Sequence, residues 1–278
     1  MKPILCVTSN IDNFYNEFGF ISKVKDRLKT KLISIDYIKE LDIKVASVRL
    51  PPNFNRKAYS YNLDHAKKIC KCGQVILAPK TLRPIDYNYF NKFQKRFLAF
   101  SVIKSIQLML RVRNKSIKKC CVVVYDAVDI INYDITLELA KQCKYIVLLS
   151  SDLARARKLA DYIIASFGVS PIVTNDVLYA TRIADFIISS KDYDFSHGSP
   201  VWLLNNSIDE VKADIITNDV MAINDVSYKV PWGDFKVKFS IELIGAILCQ
   251  MEERDIEKAL KYNGIYLEKI KFNDNVIY

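Results

Sequence analysis

CCVVVY at Cys120–Tyr125, YIVLL at Tyr145–Leu149, PIVT at Pro171–Thr174 and FIIS at Phe186–Ser189 are four short runs, apolar or β-branched on both faces, evenly spread through 70 residues. Strands that lack polar alternation belong to a parallel sheet covered on both sides. Helical patterns lie between them. After Asp152, an N-cap residue, Leu153, Ala156, Leu159, Ala160, Ile163, Ile164 and Phe167 form one stripe at helical spacing. Gly168 and Pro171 then close that helix. Asp134–Cys143 and Asp176–Ile183 read as shorter helices. The resulting β-α-β-α-β-α-β order predicts a doubly wound parallel sheet, with Val201–Leu204 as a fifth strand and Ile215–Ile223 adding another.

Outward from this core the reading is coarser. Ser240–Glu253 and Asp255–Asn263 are closing helices, with Gly264 as a C-cap before a strand at Ile265–Phe272. In the first part, Ile4–Thr8, Lys44–Leu50 and Gln74–Ala78 read as strands, and Phe20–Leu32 and Leu63–Lys71 as helices, forming a smaller α/β lobe. A long helical pattern covers Asp86–Arg113, with Phe90, Phe93, Phe97 and Phe100 on one side, long enough to bridge two lobes. A charged knot at Arg111–Lys119 places the expected boundary there: residues 1–118 as a basic N-terminal lobe with its connecting helix, and 119–278 as the parallel-sheet lobe. At 278 residues, one large or two medium domains are expected.

Charge divides the chain unequally. Residues 1–119 carry 25 Lys and Arg against 8 Asp and Glu, whereas residues 120–278 carry 16 against 23. A basic first half implies an anionic ligand or an acidic partner, with Lys80 and Arg83 as contributors; a lysine-rich solvated surface is the plain alternative. No apolar stretch is long enough to span a membrane, the start lacks a signal-peptide pattern, and seven cysteines without a C-x-x-C suit a reducing, cytoplasmic setting. His65, Cys70 and Cys72 have no second ligand pair at zinc spacing, so no metal is expected. Basic and aromatic residues interleave loosely at Arg56–Tyr61 and Tyr87–Arg96, but the aromatics at 90, 93, 97 and 100 read as core, so nucleic acid is not the expected partner.

Three passages carry a resemblance: the VVVYD strand, YIVLLSSD followed by LARARKLAD, and ATRIADFIISSK. Together they resemble the cofactor-binding domain of the shikimate dehydrogenase and glutamyl-tRNA reductase group, a Rossmann-type NAD(P)-binding domain, over about a quarter of the chain. The resemblance implies a dinucleotide at the carboxyl ends of the strands. In that group a glycine loop lets the pyrophosphate approach the backbone. Here Tyr125-Asp126-Ala127-Val128-Asp129-Ile130 contains no glycine, and Asp126 and Asp129 would repel a pyrophosphate. The position that reads the 2′-phosphate in NADP enzymes matches Ser151, beside Asp152, an acid that in NAD enzymes would hold a ribose diol but here has the competing role of N-cap. NAD or NADP in the usual pose is therefore not expected.

The candidate cofactor or ligand rim is Asp126, Ala127, Asp129, Ser150, Ser151, Asp152, Ser189 and Ser190. Lys80, after the VILAP strand, echoes the group's catalytic lysine, and His197, in the loop after the fourth strand, is the candidate acid–base or ligand residue. The leading expectation is a binding protein for a small anionic or nucleotide-like ligand. An NAD(P)-dependent oxidoreductase with an unusual cofactor site, and a non-enzymatic module using the basic lobe, are the alternatives.

Overall fold

The computed structural model describes residues 1–9, 14–71, 73–191, 199–204, 221–232, 239–272 and 275–278. It divides into two units, Met1–Gln94 with Tyr228–Leu267, and Lys95–Ser227 with Glu268–Tyr278. This differs from a cut at 118–119: most of the long helix goes with the parallel sheet, and the closing helices go with the first unit. The division follows tertiary packing, which a composition boundary does not record: the closing helix at Ile241–Leu248 packs on the strands at Ile4–Ser9 and Ile76–Lys80 of the first unit.

The larger unit holds strands β5 (Cys121–Tyr125), β6 (Tyr145–Leu149), β7 (Ile172–Thr174), β8 (Phe186–Ser189), β9 (Val201–Leu203) and β10 (Ala222–Ile223). Their spatial order is β10-β9-β8-β5-β6-β7, and every pairing is parallel. Counted from the first strand of the unit, this is the 3-2-1-4-5-6 order of the doubly wound Rossmann arrangement. Helices α5 (Ile130–Ala140), α6 (Leu153–Phe167) and α7 (Val177–Ile183) connect the strands. One sheet face packs Val123, Val147, Leu149, Ile187 and Leu203 against Ala180, Val177 and Ile183 of α7. The alternate residues Val122, Val124, Ile146, Leu148, Ile188 and Trp202 are also buried, so the sheet is covered on both faces, as its lack of polar alternation requires.

Helix α4 (Lys92–Val112) presents Phe93, Phe97 and Phe100 as buried residues, which makes the aromatic stripe core rather than a stacking surface for bases. Trp202 Nε1 donates to Ser105 Oγ at 2.8 Å, pinning β9 to this helix. The helical pattern expected from Asp86 onward is interrupted: α3 (Arg83–Asp86) and a 3-10 turn at Tyr87–Tyr89 precede α4.

The first unit carries a four-stranded sheet, order β2-β3-β1-β4, from β1 (Ile4–Ser9), β2 (Lys31–Ile38), β3 (Ile43–Leu50) and β4 (Ile76–Lys80). Strand β2 is antiparallel to β3; the other pairings are parallel. Helices α1 (Phe20–Lys29) and α2 (Arg56–Ile69) belong to this unit, with Tyr59, Leu63 and Ala66 of α2 packed on Leu5, Val7, Ala46 and Val48. Helix α8 (Ile241–Leu248) is buried at all eight residues. Its Glu242 meets Arg83 Nε at 3.4 Å, both side chains being 1% exposed. Arg83 is thus an internal cation and not the ligand-facing charge expected of it. Helix α9 (Ile256–Tyr262) and strands β11 (Asp225–Lys229), β12 (Tyr266–Phe272) and β13 (Asn275–Val276), in sheet order β11-β12-β13, complete the chain.

The helix expected over Phe20–Leu32 ends at Lys29, and Lys31 and Leu32 instead open strand β2. Thr30 stops α1 with an extended ψ of 123°, and the β-branched alternation Ile33, Ile35 suits a pleated edge strand better than a helix. Helix α2 begins earlier than its apolar pattern, at Asn55, whose side chain accepts from the N–H groups of Lys57 and Ala58.

Candidate functional site

In an open parallel sheet the ligand crevice lies outside the carboxyl ends of the strands, where strand order reverses. Here that point is between β5 and β8, which pair through Tyr125 and Ser189. Beside it, at the carboxyl ends of β5, β6 and β7, is a cleft of about 330 Å³ lined by Tyr125, Asp126, Leu149, Ser150, Ser151, Asn175 and Val177, with Lys191 reaching it from beyond β8. A second, of about 300 Å³, lies behind the β5–α5 turn, lined by Ala127, Val128, Tyr133, Arg155, Lys158, Leu159 and Tyr162. Each is at the small end of ligand-binding cavities, about 300–1,000 Å³.

The turn between the two clefts is closed upon itself. Asp126 has φ 56°, a left-handed conformation that glycine adopts without strain and other residues seldom do. The position therefore demands a glycine-like backbone although it carries a carboxylate. Asp126 Oδ2 pairs with Lys191 Nζ at 2.9 Å, and this contact raises the pKa of Lys191. The N–H of Ala127 donates to Leu149 O at 3.1 Å, and the N–H of Asp129 to Asp126 O at 2.9 Å. Ala127 is fully buried. The backbone donors that would meet a pyrophosphate in a glycine loop are to this extent already used.

The helix N-termini around the crevice each have an aspartate cap. Asp129 accepts from Ile131 N–H, Asp152 from Arg155 N–H and Asp176 from Tyr179 N–H. An N-cap carboxylate satisfies an orphan amide and opposes the helix dipole. It also places negative charge where an anionic ligand group would sit, so these termini are poor phosphate sites as they stand. Asp152 fulfils its capping reading.

Asn132, in the first turn of α5, ties together the carboxyl ends of the two central strands. Its Nδ2 lies 3.1 Å from Tyr125 O, 2.8 Å from Asp126 O and 2.9 Å from Ser190 Oγ. Its Oδ1 is buried and has no hydrogen-bond partner among the described residues. Sequence reasoning missed Asn132. The available signal was a polar residue on the buried side of α5, next to Ile131 and Ile135.

The expected rim is brought together in part. Ser150 is buried: its N–H donates to Thr174 O, and its Oγ accepts from Asp152 N–H at 3.1 Å. Ser151 is exposed on the cleft. Ser189 Oγ donates to Lys191 O at 2.5 Å and accepts from Lys191 N–H, closing a local turn. Ser190 is buried against Asn132. Of the eight rim residues, Asp126, Ser150 and Ser151 line the cleft, while Asp129, Asp152, Ser189 and Ser190 hold the turns that shape it and Ala127 faces the second cavity. His197 lies outside the described residues, as does most of the 189–199 segment that contains it. Lys80 belongs to the other unit, half-buried at the carboxyl end of β4 opposite Thr8.

Beside Lys80, Asp86 is fully buried and accepts from Thr81 N–H at 2.8 Å, Leu82 N–H at 2.9 Å and the Tyr59 hydroxyl. Burial pushes its pKa up to about 6, against the opposing pull of these donors. The described cysteines are free thiols; burial, with Glu242 and Asp36 nearby, raises Cys6 to about 12. Among the described residues no group of three or more His, Cys, Asp and Glu is placed to hold a metal ion.

No family model and no curated protein matches this chain. Solved structures similar to it include Rossmann-type dehydrogenases. A shikimate dehydrogenase in complex with NADP+ is 12% identical, with a TM-score of 0.40, over 96% of this chain and 91% of that one. An L-tryptophan dehydrogenase from Nostoc punctiforme is 11% identical, with a TM-score of 0.41, over 94% and 78%. An ornithine transcarbamoylase from Giardia lamblia is 10% identical, with a TM-score of 0.39, over 80% and 79%.

Proposed function

We propose that this chain is a cytoplasmic small-ligand-binding protein on a Rossmann-type fold, related to shikimate and amino-acid dehydrogenases, without the ordinary dinucleotide pose. The observation that carries the reading is the β5–α5 turn. Asp126 occupies the glycine-like position and is paired to Lys191, the Ala127 amide is bonded to Leu149 O, and Asp129 caps the following helix. A pyrophosphate would have to displace these contacts against two carboxylates.

The ligand that fits is of nucleoside size, polar and rich in hydroxyl groups. Asp126, Ser150, Ser151 and Asn175 offer acceptors and donors, and Lys191 is the cation for a single acidic group. Lys80 and His197 are carried as proposed functional residues and are judged by substitution. The free thiols support a reducing compartment.

A thermal-shift screen of the full chain against NAD, NADP, nucleosides, nucleoside monophosphates and small carboxylates tests the reading. A ligand at 100 times its Kd adds about 2.7 kcal/mol of stability. The expected result is stabilisation by a nucleoside-sized compound, abolished by Asp126→Ala with Lys191→Ala. Stabilisation by NADP, with its pyrophosphate on the amides of 126–130, would establish the oxidoreductase alternative. Tight, steeply salt-dependent binding of nucleic acid would instead favour the basic-module reading.

A further inference from the structure

Helix α1 is turned with its polar side inward. The buried residues of this ten-residue helix are Ser22 and Asp26, whereas Phe20, Ile21 and Leu28 are 83%, 82% and 77% exposed. The orientation is fixed from within. Asp26 accepts from the Tyr15 hydroxyl, from Asn53 Nδ2 at 2.9 Å and from Asn62 Nδ2 at 2.9 Å. A carboxylate held by three donors anchors the helix rotation, and the apolar stripe must then face out. At about 100° per residue, Phe20, Ile21, Val24 and Leu28 fall within one arc of about 100°.

The flanks of that arc are basic on both sides: Lys23 and Arg27 along one edge, Lys25 and Lys29 along the other. Among the described residues none of these four is in an ion pair. Their cationic groups rest over aromatic rings instead, Lys23 and Arg27 over Tyr61, Lys25 and Lys29 over Tyr15.

We infer that α1 forms a docking face for the surface of an anionic lipid bilayer. An apolar stripe bordered on both sides by Lys and Arg is the pattern of a helix lying in the bilayer interface, with its apolar face in the acyl boundary and its cations among acidic headgroups. Charge selects this occupant over a second copy of the chain. A two-fold contact through α1 sets the same patch against itself, so the flanking cations of one copy meet those of the other. The inference is independent of the cleft at the carboxyl ends of β5, β6 and β7.

Vesicle flotation with the full chain tests it, using phosphatidylcholine alone and phosphatidylcholine containing phosphatidylglycerol. The expected result is binding to the anionic vesicles only, weakened by salt. Ile21→Glu with Leu28→Glu should lower it by more than about tenfold, as should Lys25→Glu with Lys29→Glu, each of the two basic residues being worth roughly fivefold near an anionic surface. Because Ile21 and Leu28 are on the helix exterior, their variant should melt with the parent protein, and Lys25→Glu with Lys29→Glu, which also gives up the contacts with the Tyr15 ring, is assayed well below its own melting temperature. Absence of binding, equal binding to neutral vesicles, or wild-type binding by both variants overturns the inference. So does a dimer in light scattering that Ile21→Glu with Leu28→Glu converts to a monomer without any vesicle binding, which would assign the face to a second copy.

Discussion

Replacing Asn132 by Asp keeps the side-chain shape and removes the donors, and it should harm the protein more than replacement by Ala. The Nδ2 of Asn132 faces two carbonyl oxygens, Tyr125 O and Asp126 O, which can only accept, and Ser190 Oγ. Two amide hydrogens shared over three acceptors amount to about two full hydrogen bonds. Asn132→Ala loses those at about 1 kcal/mol each and leaves buried acceptors unpaired, for a total of about 2–4 kcal/mol. For a protein of this size that lowers Tm by roughly 5–15 °C. Asn132→Asp instead points a carboxylate at the same oxygens in a fully buried position. An unpaired buried charge costs several kcal/mol, a large share of a total stability of about 5–15 kcal/mol. The folded-state pKa of that Asp is then raised above the unfolded value of about 3.9. Its penalty is absent below about pH 4 and grows as pH rises through the folded pKa. Thermal melts of the two variants at pH 4 and pH 7 provide the assay. The Asp variant should fall below the Ala variant at pH 7 and recover relative to it at pH 4. Parity of Asn132→Asp with the parent protein at pH 7 would refute the assigned donor role.

Asp126→Gly should change Tm by no more than a few degrees, since it relieves a left-handed strain of about 1 kcal/mol and loses an ion pair whose lysine is 58% exposed. Asp126→Ala, which keeps the strain without the ion pair, should be less stable than Asp126→Gly; the reverse order in urea titrations would contradict the backbone assignment. Asp86 has a raised folded pKa of about 6, so its contribution to stability is highest below about pH 4 and declines as pH rises from about 4 to 6. Asp86→Asn should flatten that part of the stability curve, measured by denaturant titration at several pH values, and an unchanged curve would rule out the assignment. Substituting Lys80 or His197 by Ala should weaken an identified ligand while moving Tm by only a few degrees; a large stability loss would mark the residue as structural.

The parallel sheet was legible because its strands are buried on both faces, so apolar runs appear without alternation and give the β-α-β order directly. Asp152, Gly168 and Pro171 bounded α6 correctly because capping and helix stops act within a few residues. Strand β2 was hidden because an edge strand next to a helix of mixed polarity has no burial pattern of its own: five of its eight residues are exposed. Helix α1 was read over Phe20–Leu32 without any indication of which side faces in. Asp26 decides that, through donors 11 to 36 positions distant in the chain. At the cleft, the sequence by itself determined that residues 125–130 contain no glycine and that Asp152 caps a helix, whereas the helix read from Asp134 begins four residues earlier, after Asp129. Only the tertiary structure decided that Asp126 adopts the left-handed conformation, that Lys191 returns to pair with it, and that Asn132 reaches Ser190 across 58 residues. The physical reason is range. Capping and periodicity are set within one helical turn, whereas a hydrogen bond between the ends of two sheet-paired strands exists only after the crossovers have brought β5 and β8 side by side.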